Sequence, residues 1–136
     1  MSQPSPLVPL WPRLIALLGA ILMAAGGIIA LAHPATLTPP NQAINAAVRI
    51  YAGYTASRNL VIAAALVAML LVRAHAALGH LLLLIGFIQI ADACLDCIEH
   101  RWPVVPGVLV LGILFLLAAA RLFNQPFWKR AAYTAP

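Results

Sequence analysis

All three acidic residues of this 136-residue chain lie within one short segment: Asp92, Asp96 and Glu99. In a helix, with about 100° between successive residues, they share one face with Gln89 and His100. Carboxyl groups that face a medium of low dielectric constant are typical of sites that transfer protons or hold polar groups. The segment therefore predicts acid/base chemistry or polar binding.

A second set of polar side chains lies earlier in the chain, in a segment that is also predicted to be helical: Tyr51, Tyr54, Thr55, Arg58 and Asn59. The turn between the two segments is predicted near residues 73 to 76, about 21 to 24 Å along the helices from both Arg58 and Asp92. Antiparallel neighbours would therefore place this arginine and this aspartate at similar depth. Because one unpaired charge within a span costs on the order of 3 kcal/mol, we expect Arg58 and Asp92 to form an ion pair.

These residues define a hypothetical site with distinct roles. Asp92 would be held by Arg58 as an electrostatic anchor, whereas the negative charges near Asp96 favour its protonated form and suit it to carry a proton. The remaining side chains would orient or bind a ligand: Tyr51, Tyr54, Asn59, Gln89, Glu99 and His100. Two simpler interpretations stay open: the Arg58–Asp92 pair only fixes the register of two helices, or Asp96 is solvated among lipid headgroups.

The composition indicates that a lipid bilayer is the solvent of this chain. Hydrophobic residues make up 64% of it, charged residues only 8%, and the mean hydropathy is +0.99; soluble domains contain about 45–50% and about 25%. A soluble enzyme, a disordered tail and a disulfide-stapled secreted domain are excluded. The net charge of +5 comes from basic residues scattered singly at the ends of apolar runs, which is typical of contact with anionic lipid headgroups rather than with nucleic acid.

Four transmembrane helices are predicted from the apolar runs, at residues 14–32, 51–72, 76–98 and 104–123. The second belongs to a helix that begins near residue 44, after a proline-rich loop at 33–43. The first part of this helix is mixed in polarity, and residues 60–72 are wholly apolar. The expected fold is a single all-α domain over residues 1–136, a polytopic membrane protein folded as an antiparallel bundle of four transmembrane helices. Prolines are expected outside the apolar cores, and small residues are expected to permit close helix contact: Gly79, Gly86 and Gly112.

The distribution of Lys and Arg predicts the orientation. Five basic residues lie on the side of the two termini: Arg13, Arg73, Arg121, Lys129 and Arg130. Arg49 and Arg101 lie on the opposite side, together with all three acids. By the positive-inside rule, both termini are cytoplasmic, as in a protein of the bacterial inner membrane, and the acid-rich end faces outward.

Cys94 and Cys97 form a C-x-x-C spacing. In a four-span layout with the pair on the outward side, this spacing resembles that of the vitamin K epoxide reductase and disulfide bond protein B families, which implies thiol redox chemistry. Acidic neighbours and a position near a helix C-terminus disfavour the thiolate, so the sequence favours small, buried packing residues. Asp96, Cys97 and His100 provide too few ligands for a metal site, and no cofactor is predicted.

Two segments, YTASRNL at residues 54–60 and QIADA at residues 89–93, are similar to those of an uncharacterised family of small bacterial and fungal membrane proteins with four spans. The resemblance covers residues 14 to 123. It implies the bundle and the pairing of Arg58 with Asp92, and it supplies no activity. A looser similarity, in concept rather than in motif, is to the small membrane isomerases and cyclases of sterol and terpenoid metabolism.

Two functions are therefore hypothesised. The first is an outward-facing intramembrane site that binds a small apolar ligand of isoprenoid, sterol, quinone or epoxide type, or transforms it by acid/base chemistry as an isomerase, cyclase or hydrolase. The second is a non-catalytic subunit that contacts a membrane partner or a second copy of itself. A ligand-sized cavity that contains Asp96 would favour the first function, and a dry, tightly packed polar seam would favour the second.

Overall fold

Four α-helices make up the computed structural model, which describes residues 10–38 and 43–123 together with Lys129. Their bounds are as follows: α1 Leu10–Ala32, α2 Ala46–Leu71, α3 His75–Ile98 and α4 Val105–Leu122. A short 3₁₀ turn, Pro34–Leu37, follows α1. The described residues contain helices and turns and no strand.

Each helix is long and apolar enough to cross a membrane. The predicted all-α fold with four membrane-spanning helices is therefore confirmed. Large apolar side chains remain exposed along every helix, for example Ile21 at 58%, Val61 at 68% and Leu117 at 55%. Such surfaces suit a lipid environment, since lipid tails are as apolar as these side chains.

Three prolines lie at the starts of helical segments. Pro12 lies in the first turn of α1, which begins at Leu10 rather than at residue 14, and Pro106 lies in the first turn of α4. Pro34 opens the 3₁₀ turn inside the predicted loop. Within the described residues, the prolines of helical segments are thus confined to first turns, outside the apolar cores. The first-turn N–H groups of a helix have no intrahelical acceptor, so a proline there costs no hydrogen bond.

The ends of α2 are defined by local hydrogen bonds. At its start, the Val48 N–H donates to the side-chain oxygen of Asn45 at 3.0 Å, which is an N-cap. Beyond its end, Arg73 has a φ of 55°, and the N–H groups of Arg73 and Ala74 donate to the carbonyls of Leu70 and Met69. These two hydrogen bonds form a Schellman motif, in which glycine is the favoured residue at the position of positive φ. An arginine there costs roughly 1 kcal/mol more than glycine.

The chain divides into two compact units. The first, Leu17–Ala68, contains most of α1 and α2. The second contains α3 and α4, together with α1 up to Ala16 and α2 from Met69. Both boundaries between the units fall inside continuous helices, one in α1 and one in α2.

In the first unit, α1 and α2 approach closely at Gly27. A methyl group added there would lie 3.1 Å from Leu60 Cγ, 3.2 Å from the Ala56 carbonyl oxygen and 3.4 Å from Asn59 Cβ. Contacts this short to a backbone oxygen need a residue without a side chain. The glycine at position 27 therefore permits this close approach of α1 and α2.

In the second unit, α3 and α4 pack along two glycines. A methyl group on Gly86 would meet Leu116 and the Gly112 carbonyl oxygen, and one on Gly112 would meet the Gly86 carbonyl oxygen at 3.3 Å. Near the other end of the pair, Gly79 faces the ring of Phe123. The predicted role of these three glycines in close helix contact is confirmed. Fully buried apolar side chains complete the core on both helices: Leu78, Leu82, Ile85 and Phe115.

Candidate functional site

The polar residues of α3 follow one face of the helix. Gln89, Asp92 and Asp96 are half-buried, whereas Glu99 and His100, beyond the end of the helix, are exposed. The spacing of three and four residues keeps the first three on one side over about 10 Å of helix. We call Gln89, Asp92 and Asp96 the polar face of α3.

The packing of α3 against α4 explains why this face is only half-buried. Gln89 borders the contact between the helices, because its Cβ would lie 3.2 Å from a methyl group placed on Gly112. Ala93, next to Asp92, is 4% exposed. The polar face therefore adjoins the core of the second unit without entering it.

Asp96 forms an ion pair with Arg101. The distance from Asp96 Oδ1 to an Arg101 guanidinium nitrogen is 3.2 Å, and the two side chains are 14% and 46% exposed. Because nearly half of the arginine is exposed, its surroundings screen the pair, so it contributes no more than about 1 kcal/mol to stability. The Asp96 carboxylate is therefore paired with the positive charge of Arg101.

The turn after α3 brings Arg101 back onto Asp96. His100 has a φ of 57°, the His100 N–H donates to the Cys97 carbonyl at 3.2 Å, and the Arg101 N–H donates to the Asp96 carbonyl at 2.8 Å. This is a second Schellman motif with a non-glycine residue at its left-handed position. Arg101 is thus tied to Asp96 through both its backbone and its side chain.

Arg101 is the residue that sequence reasoning missed. Residues five apart are not neighbours on a helix surface, where contacts join positions three or four apart. The ion pair exists because the chain reverses at His100, and a histidine is only a weak sequence signal for a left-handed turn. With this partner, Asp96 is not an isolated carboxyl, and its role as a proton carrier remains a hypothesis.

The candidate residues of α2 lie on different faces. Tyr51 and Tyr54 are 71% and 69% exposed, and Arg58 is exposed as well. Asn59 is half-buried and lies against α1, where its Cβ approaches Gly27. The structure therefore separates Asn59 from the two tyrosines, and the predicted pairing of Arg58 with Asp92 stays a prediction.

Cys94 and Cys97 are free thiols in the last two turns of α3. Cys94 is exposed and Cys97 is half-buried. The expectation that both are buried packing residues was wrong for Cys94, because the packed face of α3 ends at Ala93 and the next residue turns about 100° away from it. Within residues 10–38 and 43–123, no three His, Cys, Asp or Glu side chains converge to hold a metal ion.

His80 illustrates a polar residue used for packing. Its ring lies edge-on to the ring of Phe123, with centroids 4.9 Å apart and an interplanar angle of 71°. Its Nδ1 lies 2.7 Å from the Ala76 carbonyl oxygen, a geometry in which the Nδ1–H donates. His80 is therefore a helix-contact residue, and it lies outside the acidic cluster.

Comparison of the chain with protein-family models, with curated proteins and with solved structures returned no match. The resemblance to an uncharacterised four-span family therefore stays a prediction. Any functional interpretation depends on the residues themselves.

Proposed function

We propose that this integral membrane protein binds a small, largely apolar ligand through the polar face of α3. The ligand would be of isoprenoid, sterol, quinone or epoxide type, with one polar group. The observation that carries the proposal is the half-buried line of Gln89, Asp92 and Asp96 on a helix that is long and apolar enough to span a membrane. Polar side chains at such positions are costly and mark binding or transport sites by default.

The side chains of this face suit an apolar molecule with one polar end. The amide of Gln89 both donates and accepts hydrogen bonds, and the Asp96 carboxylate is anchored by Arg101 at 3.2 Å. Large apolar side chains such as Leu95, 58% exposed, flank the polar residues and would contact the rest of the ligand. The acid/base part of the proposal assigns the proton to Asp96, with Asp92 and Arg58 as the electrostatic anchor.

Binding is tested with Gln89→Met, which keeps the length of the side chain and removes its hydrogen bonds. We expect the affinity for farnesol or decylubiquinone, measured by native mass spectrometry in mild detergent, to fall by about three- to ten-fold. Leu84→Met, at an exposed apolar position of the same helix, is the matched control and should bind as the wild type does. Equal binding by the two variants would contradict the proposal.

Proton transfer is tested with Asp96→Asn, which keeps the shape of the side chain. A substrate should still bind to this variant but should no longer be converted. Conversion at the wild-type rate would remove Asp96 from the chemistry and leave a binding protein.

A second candidate function is that of a subunit in a membrane complex. The observation that favours it is the exposure of Tyr51 and Tyr54, at 71% and 69%, on one side of α2. Tyrosine hydroxyls on a spanning helix are well suited to hydrogen bonds with a neighbouring helix. A photoreactive residue at Tyr54 should form a crosslink of defined mass to one protein, whereas the same probe at Leu117 of α4 should label lipid. Labelling of lipid alone at both positions would contradict this function.

The orientation proposed for the chain places both termini in the cytoplasm. The excess of Arg and Lys on the side of the termini supports it. The acid-rich end of α3 would then face outward, so the polar face of α3 would be reached from the outer leaflet.

A further inference from the structure

The ion pair between Asp96 and Arg101 leaves one carboxylate oxygen without a partner. A guanidinium nitrogen of Arg101 lies 3.2 Å from Asp96 Oδ1, and the described part of the chain provides no other hydrogen bond or ion pair to this carboxylate. The side chain is 14% exposed, and no polar side-chain atom of the described residues is both fully buried and unpaired. The second oxygen of Asp96 therefore has little contact with solvent but can be reached by a ligand.

Arg101 places hydrogen-bond donors next to this carboxylate. A guanidinium group has five N–H donors in a planar fork, and the structure shows one of its nitrogens facing Asp96. The turn at His100 fixes the arginine here, since the Arg101 N–H donates to the Asp96 carbonyl at 2.8 Å. An acceptor and several donors thus lie side by side at the end of α3.

The two opposite charges disfavour an ionic group on the ligand. A carboxylate or phosphate would be attracted by Arg101 but repelled by Asp96 and by Glu99, which is exposed three residues further along. An ammonium group would compete with Arg101 for the same carboxylate and would lose its own hydration. A neutral group that both donates and accepts a hydrogen bond matches the ion pair without either cost.

Apolar side chains extend from the ion pair along the same side of α3. Leu81 and Ile88 are half-buried, and they lie within about 80° of Asp96 around the helix axis. Leu95, next to Asp96, is 58% exposed. Asp96 lies about 3 Å from the end of α3 at Ile98, whereas Leu81 lies about 22 Å from Asp96 toward the start of the helix. A ligand with its polar group at Asp96 would therefore lay its apolar body along the spanning part of α3.

From this arrangement we infer that the ligand is an isoprenoid or sterol alcohol, whose hydroxyl donates to Asp96 and accepts from Arg101. The inference rests on the proposed function and narrows its class of ligand. One hydroxyl group both donates and accepts, so it can bridge the two members of the ion pair. A quinone or an epoxide has acceptors only, so it would bind to Arg101 and leave the second oxygen of Asp96 unsatisfied. The simpler interpretation is that this oxygen is satisfied by solvent at the membrane surface.

The test compares ligands that differ by one hydrogen-bond donor. Farnesol is paired with farnesyl methyl ether, and cholesterol with cholesteryl methyl ether, so that each pair keeps its apolar body and its oxygen. Farnesylamine serves as the cationic probe. Dissociation constants are measured by native mass spectrometry in mild detergent for the wild type, for Asp96→Leu, which removes the acceptor, and for Leu84→Met. The last variant changes an exposed apolar position of the same helix and is the matched control.

We expect the wild type and Leu84→Met to bind the alcohol of at least one pair about ten-fold more tightly than its ether, because the ether cannot donate to the carboxylate. Which pair shows the preference identifies the apolar body as a linear isoprenoid or a sterol. In Asp96→Leu the preference should disappear, which distinguishes the missing donor from the extra bulk of the ether.

Three results would overturn the inference and leave the proposed binding function intact. They are equal affinity of the wild type for each alcohol and its ether, a preference that persists in Asp96→Leu, and tighter binding of farnesylamine than of farnesol. Binding of none of these probes by the wild type would contradict the proposed function as well. The comparison of alcohol with ether in the wild type does not depend on how any variant folds.

Discussion

The contact between α3 and α4 at Gly86 yields a sharp prediction about stability. A methyl group added at Gly86 would lie 2.7 Å from Leu116 Cδ2, 2.8 Å from Leu116 Cγ and 3.2 Å from the Gly112 carbonyl oxygen. Carbon atoms normally pack at about 3.5–4.0 Å, so the leucine must move by roughly 1 Å. The leucine can rotate, but the carbonyl oxygen retreats only if α4 moves. We expect Gly86→Ala to cost about 1–3 kcal/mol from overpacking, against which the higher helix propensity of alanine returns up to about 1 kcal/mol.

The matched control is Gly53→Ala in α2, where an added methyl group would meet nothing within 4 Å. This variant gains the higher helix propensity of alanine and causes no overpacking. Gly112→Ala should fall between the two, because its added methyl group meets Gln89, Ile90 and a carbonyl oxygen at 3.2–3.3 Å. The free energy of unfolding is measured by titration with sodium dodecyl sulfate in mixed micelles, followed by circular dichroism. If Gly86→Ala proved as stable as Gly53→Ala, the close approach of the two helices would be refuted.

Two further predictions concern the remaining charges and the topology. Replacing Arg58 or Asp92 alone by an apolar residue should destabilise the protein by roughly 3–5 kcal/mol, whereas replacing both should cost much less; additive losses in the double-mutant cycle would show that the two are not partners. In a cysteine-free background, a cysteine at His33, exposed after α1, should react with a membrane-impermeant thiol reagent added outside, and one at His75 should not. The reverse pattern would invert the proposed orientation.

Helix number and type could be predicted from the sequence because they depend on length and hydropathy alone. The ends of α3 and α4 fall within about two residues of the prediction. The start of α1 was less accurate, since Arg13 and Pro12 suggested an end where the helix continues for one more turn. A charge and a proline exclude the middle of a span, but both are compatible with the first turn of a helix.

Only the part of the candidate site that follows from helical periodicity could be predicted from the sequence. The shared face of Gln89, Asp92 and Asp96 follows from their spacing, and the structure shows all three half-buried along α3. The partner of Asp96 could not be found in this way, because Arg101 reaches it through a left-handed turn at His100. Few non-glycine residues adopt a positive φ, and histidine is enriched among them, so the sequence carries only a weak local signal for this turn.

The unequal lengths of the helices bear on the membrane that suits this protein. With 18 residues, α4 is about 27 Å long, whereas α2, with 26 residues, is about 39 Å long. Against a hydrocarbon core of about 30 Å, α4 is shorter than the core and α2 is longer. The first half of α2 carries Tyr51, Tyr54 and Arg58, so its apolar stretch is shorter than the helix. The bilayer next to α4 must become thinner, or the residues that flank α4 must reach further toward the headgroups. Helix α2 must tilt or extend into the headgroups. A thicker membrane would increase the mismatch at α4 and reduce it at α2, so the two helices limit the bilayer thickness from opposite sides.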